Sequence, residues 1–191
     1  MSLTFDTVQS EQDIADLARI ANEIWSGYWP DIIGEEQTAY MIDRFQSTPA
    51  ISTDIKENHY VYWFLRDEEG TIVGYTSSAI QVMNDDETHN ASIHHSDIVD
   101  ESWPKRLFIS KIYLYPWARG KHYASEVIRF YEQYCKDHHL PAMYLTVNRN
   151  NTLGVRAYTG RGFETLEEVD APIGNGFFMN DYIMAKRIEI K

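Results

Sequence analysis

The sequence LFISKIYLYPWARGKHYASEVIR, residues 107–129, contains a strand, a turn and a helix in immediate succession. The β-branched and aromatic run from Leu107 to Tyr115 predicts a buried strand. Pro116 ends it, because proline has no N–H group for the ladder. The apolar positions that follow are spaced i, i+3, i+4, i+7 and i+11, which predicts a helix with one buried face. These positions are Ala124, Val127, Ile128, Tyr131 and Cys135.

The start of this helix has no good capping side chain. No Ser, Thr, Asp or Asn lies between Pro116 and Lys121, and Gly120 is a weak substitute. Arg119 and Lys121 also lie at the positive end of the helix dipole, where anions are preferred. A bound phosphate would pair with both the free N–H groups and the two cations of this turn. A hydrated basic turn without a ligand is the alternative. The turn lacks the second glycine and the Lys-Ser/Thr pair of a Walker loop, and one glycine does not make a dinucleotide fingerprint.

Two motifs then point to a family. The segment RGKHYA, residues 119–124, resembles the Arg/Gln-x-x-Gly-x-Gly/Ala pyrophosphate loop of the GNAT superfamily of N-acetyltransferases. His122 replaces the usual middle glycine, where a side chain can crowd the pyrophosphate. Downstream, VNRNN at 147–151, AY at 157–158 and GF at 162–163 resemble the Asn-x-x-Asn…Tyr-x-x-x-Gly-Phe block of the same superfamily. Together the motifs cover about the C-terminal half, in the family's order.

The resemblance implies the acyl-CoA N-acyltransferase fold. This is an α/β (α+β) fold with a mixed, twisted central sheet flanked by helices, in which two central strands splay to admit the cofactor, acetyl-CoA. The resemblance also implies that strand N–H groups polarise the acetyl carbonyl, that loop N–H groups hold the pyrophosphate, and that one asparagine contacts the cofactor arm. The matching residues are Ile112, Tyr113 and Leu114; Arg119, Gly120, Lys121, His122, Tyr123, Ala124 and Ser125; and Asn151.

Tyr158 matches the family tyrosine that commonly protonates the leaving thiolate. Proton transfer from a tyrosine with a pKa near 10 to a thiol near 8.5 is uphill by about 2 kcal/mol, which a held geometry can absorb. A packing aromatic is the alternative. The general base stays open, because Ser110 and Lys111 stand where many relatives have a strand Glu. We expect proton removal through water by an acid such as Glu35, Glu36 or Asp181.

The family places its acceptor between the loop after the first helix and the last strands, here residues 25–36 and 174–182. Aromatic faces with carboxylates favour a small organic cation, through cation–π contact and charge pairing. Alternatively, the aromatics are core and the acids are simply solvated. FFMNDYIMAK, residues 177–186, loosely resembles polyamine acetyltransferases, so we expect a polyamine-like primary amine before a peptide or antibiotic. The candidate substrate residues are Trp25, Tyr28, Trp29, Glu35, Glu36, Phe178 and Asp181.

Other classes of function stay open beside this one. A catalytically silent acyl-CoA-binding or sensor module would keep the phosphate loop, and the His122 departure leaves room for it. A GNAT enzyme acting on a protein or peptide amine would also keep both motifs. A purely structural domain would lack even CoA binding.

Composition limits the partners. The net charge of −12 argues against nucleic acid, although residues 105–136 carry seven Lys or Arg against two Glu, which suits an anionic cofactor. The N-terminus MSLTFDTVQS has no signal-peptide pattern, and no apolar run reaches a membrane span, so we expect a cytoplasmic protein without membrane contact. The single cysteine permits no internal disulfide. No metal is expected from the pairs His94-His95 and His138-His139, and a homodimer stays open.

The remaining chain predicts a single GNAT-like domain spanning residues 1–191, which is an ordinary one-domain length. Ser10 and Asp13 form a near capping box before the first helix. Ser47-Thr48-Pro49 is expected to break the second helix, and Pro172 with Gly174-Asn175-Gly176 to separate the last two strands. The polar segment 83–104 is too long for an ordinary loop, so we interpret it as an insertion.

Overall fold

The structure, a computed structural model, describes residues 2–82 and 103–190. The predicted insertion 83–104, with His94-His95, lies outside these residues except for Trp103 and Pro104. The helices are α1 (Glu11–Ser26), α2 (Pro30–Ile33), α3 (Glu35–Phe45), α4 (Thr48–Lys56), α5 (Tyr123–Asp137) and α6 (Thr152–Thr159). The strands are β1 (Thr4–Thr7), β2 (Val61–Arg66), β3 (Ile72–Val82), β4 (Lys105–Leu114), β5 (Ala142–Asn148), β6 (Glu164–Gly174) and β7 (Phe177–Arg187).

The strands form one mixed sheet in the order β1-β2-β3-β4-β5-β7-β6. β4 and β5 run parallel, with registered pairs from Leu107–Met143 to Ile109–Leu145. The pairs β1–β2, β2–β3, β5–β7 and β6–β7 are antiparallel. The helices that flank this sheet complete the α/β (α+β) fold class that the sequence predicts.

The chain packs as two compact units, each made of two chain segments. The first unit is Met1–Ser78 with Lys111–Val127, and its core includes Leu17, Ile24, Tyr62, Leu65 and Val73. The second unit is Ala79–Ser110 with Ile128–Lys191, and its core includes Leu107, Tyr131, Tyr144, Ile183 and Met184. The single domain that the sequence predicts stays a prediction.

Local sequence explains how α1 begins. The Ser10 hydroxyl accepts a hydrogen bond from the Asp13 N–H group at 3.0 Å, and the Asp13 carboxylate accepts from the Ser10 N–H group at 2.9 Å. The predicted capping box is therefore confirmed with Asp in place of the usual Glu or Gln.

One proline prediction is confirmed and one is wrong. The second helix, α3, ends at Phe45, and Pro49 lies in the first turn of the next helix, α4, where its missing N–H group would have no helical partner in any case. Pro172 lies within β6 instead of between strands. Because β6 is at the sheet edge and its register with β7 shifts after Pro172, the ladder tolerates proline there.

None of the helices in the described ranges has the length and apolar character that a membrane span requires. In the same residues, no group of three or more His, Cys, Asp or Glu side chains is arranged to hold a metal ion. Cys135 is fully buried on α5, where burial raises the pKa of its thiol to about 12.

Candidate functional site

The turn before α5 has an unusual backbone. Gly120 has φ +75° and His122 has φ +61°, so both residues lie in the left-handed region. A histidine rarely adopts this conformation, which glycine adopts freely. His122 thus keeps the backbone that the family's glycine would provide, and its exposed side chain leaves the packing undisturbed. A Cβ built on Gly120 would meet no atom within 4 Å, so the turn is open on that side.

The N–H groups of this turn are not used by the chain itself. The His122 carbonyl accepts from the N–H groups of Ser125 and Glu126, at 2.9 and 3.3 Å, which makes His122 the N-cap residue. Within the described residues, the N–H groups from Gly120 to Ala124 have no acceptor. A helix start with unused donors and two nearby cations favours the binding of an anion.

The two cations of the turn lie against aromatic rings. The Arg119 guanidinium carbon is 3.8 Å from the centroid of the Tyr28 ring, and the Lys121 ammonium is 5.4 Å from that of Trp117. Arg119 makes no ion pair with any residue that the structure describes. Partial burial lowers its pKa, against the effect of Tyr28, yet a guanidinium stays charged at neutral pH.

The two tryptophans predicted to meet the substrate are core residues. Trp25 and Trp29 are 2% and 7% exposed and stack on each other with centroids 5.0 Å apart. Tyr113 on β4 meets Trp25 edge-on at 5.2 Å, and Tyr75 lies 5.3 Å from Tyr113. These two tryptophans therefore have the packing role that the sequence analysis gave as the alternative.

The end of β4 approaches β3 unusually closely. A Cβ built on Gly74 would lie 2.1 Å from the Tyr113 carbonyl oxygen, so no side chain fits at this position without displacing β4. The Thr76 hydroxyl donates to the Lys111 carbonyl at 2.6 Å, and the Tyr115 N–H group donates to the Val73 carbonyl. These contacts fix the backbone of Ile112, Tyr113 and Leu114, which are all half-buried.

Sequence reasoning missed a buried charge on the same strand. Lys111 is 8% exposed, and its ammonium lies 3.4 Å from the Asp54 carboxylate and 5.2 Å from the Tyr62 ring centroid. The Tyr62 hydroxyl donates to the same carboxylate at 2.6 Å. Burial lowers the pKa of Lys111 in spite of Asp54. The apolar run that predicts β4 does not indicate this ion pair.

A cleft of about 820 Å³ lies among α1, α3 and the segments beside them. Its charged lining consists of Arg19, Glu23, Glu35 and Asp43. Glu23 is bound to Arg19 at 2.7 Å and to the Tyr115 hydroxyl at 2.6 Å. Glu35 and Asp43 are exposed and make no ion pair within the described chain, so the cleft presents net negative charge. Glu36, also exposed, lies outside its lining.

In the second unit, Asn151 is the N-cap of α6. Its side-chain oxygen accepts from the Gly154 N–H group at 3.1 Å. Asn148 and Asn150 lie close by in the sequence, but Asn151 is the residue that caps this helix. Tyr158 lies half-buried on α6, with its ring 5.7 Å from that of Phe163.

Asp181 is the buried acid among the predicted substrate residues. It is 6% exposed on β7 and is paired with Asn148 of β5 in the antiparallel register. Burial raises the pKa of Asp181 to about 6, although a hydrogen bond from Thr146 and the charge of Arg149 lower it. Arg149 itself bonds Glu168 and Asp170 on β6. Phe178, by contrast, is 47% exposed near the start of β7.

The structure therefore groups the predicted residues within each unit. The first unit holds the β4 backbone, the turn before α5 and Trp25, Tyr28, Trp29, Glu35 and Glu36. The second unit holds Asn151, Tyr158, Phe178 and Asp181.

Comparison with known proteins gives one family. The model of the acetyltransferase (GNAT) family matches residues 16–163. No curated protein matches the chain.

Solved structures that resemble the fold include three acetyltransferases. The PaiA N-acetyltransferase of Thermoplasma acidophilum, solved with coenzyme A, has TM-score 0.71 and 19% identity, covering 98% of this chain and 99% of that one. A spermidine N-acetyltransferase SpeG chimera from Vibrio cholerae and hSSAT has TM-score 0.64 and 18% identity, with 98% and 96% covered. A phosphinothricin acetyltransferase of Sinorhizobium meliloti, solved with AcCoA, has TM-score 0.59 and 18% identity, with 98% and 89% covered.

Proposed function

Because the chain belongs to the GNAT acetyltransferase family, we propose that it transfers the acetyl group of acetyl-CoA to a primary amine of a small cationic acceptor. GNAT enzymes use acetyl-CoA, so the cofactor that the sequence predicts is confirmed. The choice of nitrogen as the acceptor atom, and of a cationic acceptor, is our proposal.

The observation that carries the proposal is the open start of α5. Gly120 and His122 have a left-handed backbone, and the N–H groups of residues 120–124 have no acceptor in the described chain. Those donors, together with Arg119 and Lys121, fit a pyrophosphate in number, polarity and charge. We assign the pyrophosphate of acetyl-CoA to this turn, with Ser125 at its edge and Asn151 on the cofactor arm.

Acetyl-CoA supplies an acetyl group activated as a thioester. The backbone donors of Ile112, Tyr113 and Leu114 are assigned to the acetyl carbonyl, because Gly74 and Thr76 hold this part of β4 in place. Tyr158 is assigned as the acid that gives a proton to the departing sulfur.

Transfer to nitrogen also requires a neutral amine, and hence a base. Of the three acids that the sequence analysis names as examples, Glu35 and Glu36 are exposed, whereas Asp181 is buried with a pKa of about 6. A base is most effective when its pKa lies close to the working pH. We therefore assign proton removal to Asp181, directly or through water.

Carboxylates support a cationic acceptor better than the aromatics do. Trp25 and Trp29 are packed in the core, and Arg119 already covers the Tyr28 ring. The cleft beside α1 and α3 offers Glu35 and Asp43 without ion-pair partners in the described residues. Opposite charge attracts a polyamine-like cation to such a cleft.

Two measurements test the proposal. Calorimetric titration of acetyl-CoA should show saturable binding. The absence of binding would indicate a purely structural domain. Release of CoA thiol should then be compared for spermidine, an aminoglycoside, a basic peptide and neutral amino acids. We expect the fastest release with spermidine. Preference for a neutral acceptor would overturn the cationic class, and binding without turnover for any amine would indicate a silent acyl-CoA-binding module.

The acid is tested separately. Tyr158→Phe removes one hydroxyl and little volume, so acetyl-CoA affinity should hold while turnover falls by roughly 100-fold. Turnover at the parent level would transfer the role to another group or to water.

A further inference from the structure

Arg119 is held by a ring instead of a carboxylate. Its guanidinium carbon lies over the Tyr28 ring, 3.8 Å from the centroid, a distance of direct contact. The other cation–π contacts of the first unit are longer, from 5.2 to 5.9 Å. Among the described residues, Arg119 has no acidic partner.

This difference has a consequence for binding. A carboxylate would occupy the N–H edge of the guanidinium and cancel its charge, so that an incoming phosphate would have to compete. An aromatic ring contacts the face of the guanidinium and leaves the five N–H donors at its edge. Tyr28 therefore restrains the Arg119 side chain without neutralising it.

The Tyr28 ring is itself well supported. It meets Trp29 edge-on at 5.5 Å, and Trp29 stacks on Trp25 at 5.0 Å. Both tryptophans are buried, and Trp25 also touches Tyr113 of β4. The ring that holds Arg119 is thus the outer member of a packed aromatic row in the first unit.

We infer that Tyr28 is a positioning residue for acetyl-CoA, holding Arg119 with its N–H edge available to the pyrophosphate. The inference rests on the proposed role of the turn before α5. It replaces the direct contact of Tyr28 with the acceptor that the sequence suggested. Restraining a flexible arginine before binding reduces the entropy lost when the complex forms.

The test compares Tyr28→Leu with Tyr28→Phe. Leu removes the ring, whereas Phe keeps it, so KM for acetyl-CoA should rise about fivefold in Tyr28→Leu and stay near the parent value in Tyr28→Phe. Both kcat and the KM for the amine should be unchanged in the two variants. With S-acetylpantetheine, a thioester that lacks the pyrophosphate, Tyr28→Leu should match the parent protein.

Phe45→Leu is the matched control, because it removes another aromatic ring beside an arginine, Arg44, at 5.6 Å. It should leave KM for acetyl-CoA unchanged. An unchanged KM for acetyl-CoA in Tyr28→Leu would overturn the inference. So would an equal loss with S-acetylpantetheine, or a rise in KM for the amine, which would return Tyr28 to the acceptor. Failure of the parent protein to bind acetyl-CoA would instead refute the proposed function.

Discussion

Two helices that begin in the same unit, α1 and α5, treat their first N–H groups in opposite ways. At α1, Ser10 and Asp13 form a closed capping box, and the Asp13 carboxylate also accepts from the Gln9 N–H group at 3.1 Å. These backbone bonds hold the pKa of Asp13 below its usual value. At α5, no acid lies before the helix, and the N–H groups of residues 120–124 have no acceptor in the described chain.

The difference separates a helix start that serves folding from one that we propose binds a ligand. The chain supplies its own anion at α1, so nothing further is needed there. At α5 it supplies cations and a left-handed backbone, neither of which stabilises the helix by itself. Asp181 is similar in one respect, because burial of its ionised carboxylate does not stabilise the fold by itself.

The largest expected effect is on binding at the open helix start. Arg119→Glu or Lys121→Glu should weaken acetyl-CoA binding by about 100-fold, because each removes a charged donor and adds repulsion. The loss should be greater at low salt, where screening is weaker. Calorimetry at two salt concentrations measures both effects.

The control variant Lys105→Glu makes the same charge change outside the turn and should bind acetyl-CoA normally. Unchanged affinity in both turn variants would refute the assignment.

The next effect concerns the buried acid. Because folding raises the pKa of Asp181 from 3.8 to about 6, the native state binds its proton more tightly than the unfolded state does. This contribution to stability is complete below pH 4 and is lost as the pH rises through 6. Asp181→Asn should therefore be more stable than the parent above pH 6, by about 3 kcal/mol, with the difference disappearing near pH 4.

Urea unfolding across this pH range measures that difference. Glu167→Gln on β6, where the acid is exposed, should show no such dependence. A constant difference between Asp181→Asn and the parent at all pH values would contradict the raised pKa. For catalysis, the same variant should also lose the acid limb of its pH–rate profile.

A smaller effect should appear at the closed helix start. Ser10→Ala removes one cap acceptor and should lower the free energy of unfolding by about 1 kcal/mol. Acetyl-CoA affinity should not change, because α1 begins with its donors already bonded. Urea unfolding and calorimetry give the two values. A loss of affinity in Ser10→Ala would break the distinction between the two helix starts.

The smallest effect should come from His122. Glycine adopts its left-handed backbone at no steric cost, so His122→Gly should raise the free energy of unfolding by about 0.5 kcal/mol after the greater unfolded-state entropy of glycine is subtracted. Affinity should be retained. His59→Gly is a matched control, since His59 has φ +58°. Weaker binding in His122→Gly alone would show that the imidazole itself contacts the cofactor.

Features set by neighbouring residues were predictable from the sequence. The capping box at Ser10 and Asp13 depends on residues three apart, and the succession of β4 and α5 follows from apolar spacing. The turn motif at residues 119–124 was also recognisable, because it consists of consecutive residues.

Features that depend on distant neighbours were not predictable. The stack of Tyr28 on Arg119 and the pairing of Lys111 with Asp54 join residues from separate segments, and no local period encodes them. Pro172 was misassigned because its tolerance depends on β6 being an edge strand. Three asparagines lie close together before α6, and the one that caps the helix, Asn151, is decided by backbone angles that the sequence does not specify.

The burial of Cys135 makes the protein convenient for labelling. A thiol with a pKa of about 12 and no exposed surface is almost unreactive toward maleimides and disulfide reagents near neutral pH. Since the chain has one cysteine, a new cysteine on the surface would be the reactive one without further mutation. Trp117→Cys, at a half-exposed position beside the turn before α5, would carry a fluorophore next to the proposed pyrophosphate site. The arrival of acetyl-CoA could then be followed in real time by the change in emission.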